Sequence, residues 1–328
     1  MSNQIQEAFP YLRVRDASAA IEFYKLAFSV LHSTLVFAAV LAATIGCGSR
    51  LDADDKQAKS NQEVGAMTKA ISVKREYAAV NGLNLYYEIH GEGGTPLVLV
   101  HGGGSTIESN WSRILPLLAE SRQVIAIEEQ GHGHTAAIDR EFTFENSAGD
   151  IAALVDHLNI KHVDVMGFSN GGNIALRFGL RHSGLTNRLV VVSAMYRRDG
   201  MVPGFWDGFK NPDLSMMPEV LKQADLKINP DPKHLQQLFE QDVKRMVEFK
   251  DWPDEDISGI GVPTLVVVGD KDIVLPEHAL KMTRLLPEGR LMVVPGTHGD
   301  FLGDVMTTRP DSQVPAAVVK VIEEFLDQ

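Results

Sequence analysis

The sequence has little that would indicate a disulfide-bonded, metal-binding or nucleic-acid-binding protein. Of its 328 residues only Cys47 is a cysteine, which excludes an intrachain disulfide and any metal site built from several cysteines. Acidic residues outnumber basic ones by 43 to 31. The formal net charge of -12, with no basic stripe, disfavours nucleic acid or an anionic membrane surface as an electrostatic partner. The remaining composition, 44% hydrophobic and 23% charged, is that of an ordinary globular enzyme domain.

Long apolar runs are also scarce, and the one near the N-terminus is short. Within the nearly uncharged segment 30–47, the strongly apolar part, Leu35 to Ala43, is too brief for a comfortable membrane span but fits a secretory h-region of about 7–15 residues. The small residues before Cys47 resemble a bacterial lipoprotein cleavage box, with Thr44 where that family usually has leucine. The resemblance implies a lipidated Cys47 and an exported, membrane-anchored protein. The alternative is an apolar helix packed on a cytoplasmic domain.

The segments on either side of this apolar run differ from the rest of the chain. Within residues 1–29, the stretch Ala8 to Phe28 resembles the opening strand and helix of the glyoxalase/bleomycin-resistance superfamily, without that family's metal ligands. A piece of about twenty residues buries too little surface to fold or act alone. We interpret it as a non-functional remnant of a gene fusion or of a misplaced start codon. Residues 48–70 are polar and aperiodic, which predicts a solvated linker.

From Ile71 to Gln328, short β-branched runs alternate with longer amphipathic segments, a pattern typical of a parallel sheet flanked by helices. Eight strands are predicted, at 72–80, 83–90, 96–100, 123–127, 162–166, 188–193, 263–269 and 289–294. Helices are predicted at 111–119, 147–158, 172–182, 276–286 and 314–326. Residues 195–258 interrupt the alternation with prolines, methionines, aromatics and weak helical periodicity. We interpret this interruption as an inserted helical lid over the carboxyl edge of the sheet.

The most informative motif lies between a predicted strand and a predicted helix. Gly167-Phe168-Ser169-Asn170-Gly171 follows the strand HVDVM, which is the context of a nucleophile elbow. A catalytic serine needs a sharp, strained turn so that its hydroxyl projects above the sheet, and flanking glycines remove the Cβ atoms that would clash there. The alternative is an ordinary glycine-rich turn between a strand and a helix.

A second glycine-rich loop, His101-Gly102-Gly103-Gly104, closes an earlier buried strand. Its backbone predicts an oxyanion hole, made of the N–H of Gly103 and the N–H of Asn170, the residue after the proposed nucleophile. Two preorganised donors of this kind contribute several kcal/mol of transition-state stabilisation, on the order of 3 kcal/mol each. The alternative is a loop whose glycines serve only its turn.

A serine hydroxyl needs a histidine to take its proton and a carboxylate to orient that histidine. Asp272 follows one buried strand and His298 follows the next, so the chain order serine, aspartate, histidine is complete. Asp270 is a rival for the acid because it lies nearer the strand end, and Asp304 is a weaker candidate. The alternative for His298 is a surface histidine in a loop.

Together these segments resemble the α/β-hydrolase superfamily over nearly all of Ile71 to Gln328. The resemblance implies an α/β-hydrolase fold, with a mostly parallel eight-stranded sheet flanked by helices and an inserted helical lid. Gly131-His132-Gly133-His134-Thr135 resembles the turn after the family's fourth strand, with Gln130 where the family usually has arginine. His132 and His134 could also form a metal pair, but no third ligand is evident and a structural turn is the favoured interpretation.

The predicted reaction is acyl transfer to water without a cofactor or metal: a carboxylic ester or lactone, in the manner of a carboxylesterase, passes through an acyl-enzyme on Ser169. Carbon–carbon bond hydrolysis on the same fold and a non-catalytic ligand-binding protein are the alternatives, and the substrate is a small acyl compound. A dehalogenase or epoxide hydrolase would have aspartate at position 169. The predicted apolar acyl pocket is drawn from the lid: Tyr196, Phe205, Trp206 and Met216, with Phe209, Met217, Phe249 and Trp252 as further candidates.

Overall fold

The computed structural model describes residues 72–307, 309 and 311–328. The glyoxalase-like stretch, the lipoprotein-type segment with Cys47 and the polar linker lie outside the described residues, so they stay predictions. In the part of the chain that is described, no helix combines the length and apolar character needed to cross a membrane.

The described chain forms one eight-stranded sheet in which most neighbours are parallel, as predicted. The strands are β1 (Val73–Val80), β2 (Leu83–His90), β3 (Leu97–Val100), β4 (Val124–Ile127), β5 (Val163–Phe168), β6 (Thr186–Val192), β7 (Thr264–Gly269) and β8 (Gly289–Val294). Their order in the sheet is β1-β2-β4-β3-β5-β6-β7-β8. The first three in that order pair antiparallel, and all pairs from β4 onward are parallel.

Helices cover both faces of this sheet because its central strands are apolar on both sides. In β3, Val98 and Val100 pack into one hydrophobic cluster and Leu97 and Leu99 into another, and all four are fully buried. The first cluster is covered by α3 (Phe144–His157), α4 (Asn170–Arg181) and α8 (Pro276–Leu285), the second by α1 (Ile107–Trp111), α2 (Leu115–Leu118) and α9 (Val314–Leu326).

One predicted helix is wrong in its bounds. The segment predicted as a helix over 111–119 contains instead the end of α1 and the separate short helix α2. The earlier start of α1 has a local cause. The Thr106 hydroxyl accepts a hydrogen bond from the backbone N–H of Ser109, and the Ser109 hydroxyl accepts one from the backbone N–H of Thr106. This reciprocal capping begins a helix at Ile107, four residues before Trp111, whose apolar side chain dominates the sequence pattern.

The insertion between β6 and β7 is helical. After three short 3₁₀ turns, it contains α5 (Glu219–Ile228), α6 (Pro232–Val247) and α7 (Asp254–Ser258). Met217, Leu221, Leu235 and Leu238 form a small hydrophobic cluster of their own within it. The insertion leaves the carboxyl end of β6, which lies in the sheet between β5, the strand before Ser169, and β7, the strand before Asp272.

Candidate active site

Ser169 lies at the end of β5, immediately before α4, in a backbone conformation that side chains rarely adopt, with φ 54° and ψ -120°. The neighbouring glycines are required by packing. A Cβ on Gly167 would collide with the carbonyl oxygen of Gly171, and one on Gly171 would collide with the carbonyl oxygen of Val100. The closely packed backbone around it therefore holds the turn in its strained conformation. The turn presents the serine above the sheet edge, as a nucleophile elbow requires.

The glycine loop after β3 packs directly against this elbow. A Cβ on Gly102 would lie 3.3 Å from the Cβ of Ser169, and one on Gly103 would lie 2.6 Å from the side-chain nitrogen of Asn170. Among the described residues, no acceptor bonds the backbone N–H of Gly103 or that of Asn170. Both residues line the same cavity as Ser169. The two predicted oxyanion donors are thus adjacent and available to a ligand.

His298 and Asp272 form a short hydrogen bond, with 2.7 Å between His298 Nδ1 and Asp272 Oδ1. The Asp272 side chain is fully buried, whereas that of His298 is 23% exposed. The His298 ring packs on Phe168, the residue before Ser169, with 4.6 Å between ring centroids. No hydrogen bond from the Ser169 hydroxyl to His298 is formed among the described residues, and such bonds often tighten only when substrate binds.

Asp272 is held as a carboxylate by several donors. Ser193 Oγ donates to its Oδ2 over 2.5 Å, and the backbone N–H groups of Gly269 and Val274 donate over 3.2 Å each. Burial by itself would raise the pKa of Asp272, but the hydrogen bonds from His298 and Ser193 outweigh it and lower the pKa below its usual value. Asp272 is therefore ionised at neutral pH and can orient His298.

The two rival acids lie elsewhere. Asp270 is exposed and accepts from the backbone N–H of Gly296 over 2.8 Å, so it supports the loop that carries His298 without touching the ring. Asp304 is buried and accepts from the backbone N–H of Met306 over 2.9 Å. Burial raises the pKa of Asp304 to about 6, although that N–H and His298 act in the opposite direction. Of the three acids, only Asp272 forms a hydrogen bond with His298.

A cavity of about 230 Å³ opens beside Ser169 beneath the lid. Phe205 and Met216, both predicted to bind substrate, line it, and so do the further candidates Phe209 and Met217. Other lining residues come from α5 and α6 and share apolar character, apart from one acid: Leu221, Leu238, Phe239, Asp242, Val243 and Met246. Among the described residues that line the cavity, none is a lysine or an arginine.

Tyr196 and Trp206, which were also predicted to bind substrate, do not line this cavity. Tyr196 is fully buried, stacks on His278 with 4.7 Å between ring centroids, and donates its hydroxyl to Asp254 over 3.0 Å. Trp206 packs against the guanidinium of Arg198 and donates its indole N–H to the Arg198 carbonyl oxygen over 2.8 Å. The Tyr196 ring therefore packs the lid against α8 of the domain, and the Trp206 ring packs within the lid.

In the turn after β4, Gln130 stands where the superfamily usually has an arginine. Hydrogen bonds of Gln130 and two histidine–carboxylate contacts hold this turn instead. Gln130 exchanges hydrogen bonds with Arg140, which donates to its Oε1 over 3.0 Å. His134 Nδ1 lies 2.8 Å from Glu128 Oε2, and His132 Nε2 lies 3.1 Å from Asp242 Oδ2. The two histidines therefore have separate carboxylate partners, and no group of three potential metal ligands occurs among the described residues.

Helix α6 of the lid is anchored to the domain by a buried cation. Arg245 bonds to Glu129 at the end of β4 over 2.8 Å, and both side chains are almost fully buried. The guanidinium also packs on the rings of Phe142 and Phe144, 3.9 and 4.8 Å from their centroids. Breaking a buried pair by removing one partner costs about 3–5 kcal/mol, so this contact fixes α6 over the glycine loop.

A larger cleft, of about 730 Å³, lies away from the proposed nucleophile. Tyr86, Glu88, His90 and His134 contribute to its wall, and Ser169 and His298 do not. Its size alone would favour it as a ligand site. The smaller cavity is the better candidate because it joins a strained serine and two free N–H groups, with a histidine–carboxylate pair beside them.

The comparisons with known proteins agree with this architecture. Residues 95–227 match the family model for the alpha/beta hydrolase fold. A 2-hydroxy-6-oxo-2,4-heptadienoate hydrolase from Pseudomonas putida is 28% identical over 255 residues, covering 71% of this chain and 88% of that protein. Serine hydrolase BPHL from Homo sapiens is 29% identical over 240 residues, covering 67% of this chain and 80% of that protein.

Solved structures give the same result. The crystal structure of a serine hydrolase involved in carbazole degradation matches with a TM-score of 0.62 and 25% identity, covering 78% of this chain and 99% of that one. The chain has the α/β-hydrolase fold, and its relatives support a place among the hydrolases of that superfamily.

Sequence reasoning missed two polar residues of the site. Ser193 follows the end of β6 at the carboxyl edge of the sheet, where Asp272 and His298 also lie, and that position was the available signal. Asp242 had no such signal. It lies in the middle of an amphipathic lid helix, where an acidic residue ordinarily faces solvent.

Proposed function

We propose that this protein is a serine hydrolase that cleaves a carboxylic ester or lactone through an acyl-enzyme. The observation that carries the proposal is the buried Asp272–His298 hydrogen bond beside the strained Ser169, with the N–H groups of Gly103 and Asn170 free in the same cavity. Each of these features has a defined role in acyl transfer, and together they make up a complete catalytic set.

The reaction proceeds in two halves. Ser169 Oγ attacks the carbonyl carbon while His298 Nε2 takes the hydroxyl proton, and the N–H groups of Gly103 and Asn170 hold the negative oxygen that forms. The intermediate collapses as the protonated His298 returns that proton to the leaving alkoxide. Water then attacks the acyl-enzyme, with His298 again taking and returning a proton, which releases the acid and restores Ser169.

The cavity limits the acyl group. Its volume of about 230 Å³ lies below the range of about 300–1,000 Å³ typical of ligand pockets, and its walls are mostly apolar. Among the described lining residues, Asp242 is the only charged one, and none is a cation that would pair with an anionic acyl chain. These features favour a short, uncharged acyl group.

Carbon–carbon bond hydrolysis is a second candidate, favoured by the similarity to the 2-hydroxy-6-oxo-2,4-heptadienoate hydrolase. A dienoate of that kind carries a carboxylate. The described cavity offers no lysine or arginine to pair with one, and this contrast makes the ester the first choice.

The test is a substrate panel on the wild type and on Ser169→Ala: short-chain and long-chain acyl esters, a lactone and a 2-hydroxy-6-oxo-dienoate. We expect hydrolysis of short-chain esters or of the lactone, and loss of that activity in the variant. Turnover of the dienoate alone would establish the second candidate. Activity that survives Ser169→Ala would exclude Ser169 as nucleophile, and wild-type protein that a fluorophosphonate does not label would favour a binding protein.

We also propose, on the sequence alone, that Cys47 is lipidated and that the mature protein is exported and membrane-anchored. Mass spectrometry of the protein from its native host tests this. A lipid-modified Cys47 at the mature N-terminus is expected, and recovery of a peptide that begins at Met1 would contradict it.

A further inference from the structure

A carboxylate from the lid bonds directly to the glycine loop beside Ser169. Asp242, on α6, accepts from the backbone N–H of Gly104 through Oδ2 over 2.6 Å. The same oxygen would lie 3.2 Å from a Cβ on Gly103. Asp242 is the one residue of the inserted lid that makes a hydrogen bond to this loop among the described residues.

This bond is one of two that fix the loop on either side of Gly103. The backbone N–H of Gly102 donates to Asn110 Oδ1 over 2.8 Å, and that of Gly104 donates to Asp242. Gly104 has φ +66°, a conformation that an unrestrained glycine leaves easily. With the N–H groups on both sides held, the N–H of Gly103 remains the free donor of the loop.

Asp242 has two basic partners at the base of the site. Arg245 Nη2 donates to its Oδ1 over 2.9 Å, and His132 lies beside its Oδ2 in surroundings that favour a charged ring. His132 Nε2 lies 3.1 Å from Asp242 Oδ2, and Nδ1 lies 3.1 Å from the carbonyl oxygen of Gln130. The backbone nitrogen of Gly104 also lies 3.3 Å from Nε2, but its N–H has the closer acceptor in Asp242 Oδ2, at 2.6 Å. The imidazolium form donates to both Asp242 and Gln130, whereas a neutral ring would aim a lone pair at one of these two oxygens.

Other groups around His132 agree with a positive ring. Burial by itself would lower its pKa, but Asp242 and Glu129 outweigh burial and the opposing Arg245, so the pKa of His132 is raised. The neighbouring ring of His101, 4.9 Å away between centroids, is in its neutral form, since its Nε2 accepts from the backbone N–H of Glu129. On the α5 side, Asp225 also faces His132 and adds a further acidic group.

We propose that Asp242 is a positioning residue that holds the oxyanion loop from the lid, as an ion pair with the imidazolium of His132. Docking of α6 thereby sets the direction of the Gly103 N–H, while His132 and Arg245 offset a negative charge that would otherwise oppose the oxyanion. This inference rests on the proposed function, since it assigns a role in the same acyl transfer.

Kinetics of three lid variants test the role in catalysis. Asp242→Ala removes the acceptor for the Gly104 N–H, and we expect kcat for a short-chain ester to fall about 100-fold, the scale of a misplaced oxyanion donor, with KM within about threefold. Asp242→Asn keeps an acceptor, so kcat should recover to within about tenfold of the wild type. Glu240→Gln removes the same charge from the exposed side of α6 and should leave kcat unchanged. Equal kcat in Asp242→Ala and Glu240→Gln would overturn the proposal.

A spectroscopic readout does not depend on activity. Nitrogen-15 NMR of the imidazole groups at about pH 7.5, one unit above the usual histidine pKa of about 6.5, should show His132 doubly protonated in the wild type and neutral in Asp242→Asn. The assignment comes from the signal lost in His132→Gln. A neutral His132 in the wild type, or an imidazolium that persists in Asp242→Asn, would contradict the ion pair even if Asp242→Ala failed to fold. Failure of the proposed function would be distinct: the wild type would hydrolyse no ester and Ser169 would not react with a fluorophosphonate, whatever the state of His132.

Discussion

Two histidine–aspartate pairs lie close to the nucleophile, and they differ in what the second ring nitrogen faces. His298 bonds to Asp272 through Nδ1, and no described residue bonds to its other nitrogen. His132 bonds to Asp242 through Nε2, and its Nδ1 faces the carbonyl oxygen of Gln130 inside a fully buried site. The first ring is free to exchange a proton at one nitrogen. The His132 ring has a hydrogen-bond partner at both nitrogens, which suits a fixed positive charge and not proton transfer.

A short histidine–carboxylate contact therefore does not by itself identify a general base. The chemistry depends on an open nitrogen beside a nucleophile, on partial exposure and on a carboxylate that stays ionised. Four experiments test the distinction between the two pairs, and the variant with the largest expected effect is the one that lacks the His298 ring.

Removal of the His298 ring should have the largest effect. His298→Ala deprives Ser169 of its proton acceptor, and we expect kcat to fall by about 10⁶, with little additional loss in the double variant with Ser169→Ala because the two act as a unit. Steady-state ester hydrolysis, with circular dichroism as the check on folding, measures this. Additive losses in the double variant would show that the two residues act independently.

Removal of the charge that orients His298 should follow. Asp272→Asn leaves the shape of the site but favours the wrong tautomer of the ring, so kcat should fall by about 10⁴. Asp270→Asn is the matched control, since Asp270 is exposed and bonds only to the backbone of the same region. A similar loss of kcat in both variants would return Asp270 to consideration as the acid.

A substitution in the glycine loop, between the two histidine–aspartate pairs, should lower kcat by an intermediate amount. In Gly103→Ala the new Cβ would press on the side-chain nitrogen of Asn170 at 2.6 Å and on Asp242 at 3.2 Å, which displaces one oxyanion donor. We expect kcat to fall by about 10²–10³. Gly184→Ala, where a Cβ would meet nothing within 4 Å, should leave ester hydrolysis unchanged. Normal kcat in Gly103→Ala would exclude this N–H from the oxyanion hole.

The two pairs should lose their stabilising effect at opposite ends of the pH scale. Because the pKa of His132 is raised in the folded state, its stabilisation is complete below about pH 6.5 and is lost as pH rises through the folded pKa. Because the pKa of Asp272 is lowered, its stabilisation is present above about pH 3.9 and is lost as pH falls through the folded pKa.

Urea unfolding across the pH scale measures these losses, each on the order of 1 kcal/mol per unit of pKa shift. Asp242→Asn should abolish the alkaline loss of unfolding free energy, and Asp272→Asn should abolish the acid loss. Unchanged alkaline behaviour in Asp242→Asn would mean that the second pair is not an ion pair.

Most of the fold was predictable because it follows local rules. The bounds of β2, β8 and α9 agree with the sequence prediction at both ends, since turn residues or a proline mark each boundary and the periodicity inside is regular. The bounds of α1 and α2 were wrong because a capping arrangement of Thr106 and Ser109 begins a helix in a segment with weak apolar periodicity.

The apolar lining of the site was predicted less well, for a physical reason. Phe205 and Trp206 are adjacent aromatics of the lid, yet the first lines the cavity and the second packs on Arg198. The apolar character of both side chains predicts burial. Which of them lines the cavity and which packs in the core depends on how the lid packs against the domain. No periodicity records that packing.

The succession of strands and helices along the chain could be predicted from the sequence, and so could Ser169 as nucleophile and His298 as base, with Asp272 or Asp270 as the acid. These predicted roles follow from motif and chain order, because the carboxyl ends of parallel strands necessarily meet at one edge of the sheet. Only the tertiary structure distinguished Asp272 from Asp270, which differ by two residues along the chain but face His298 and Gly296 respectively. Only it brought Asp242, 138 residues from Gly104, onto the glycine loop, because such a contact depends on how the inserted helices dock and not on any local preference of the chain.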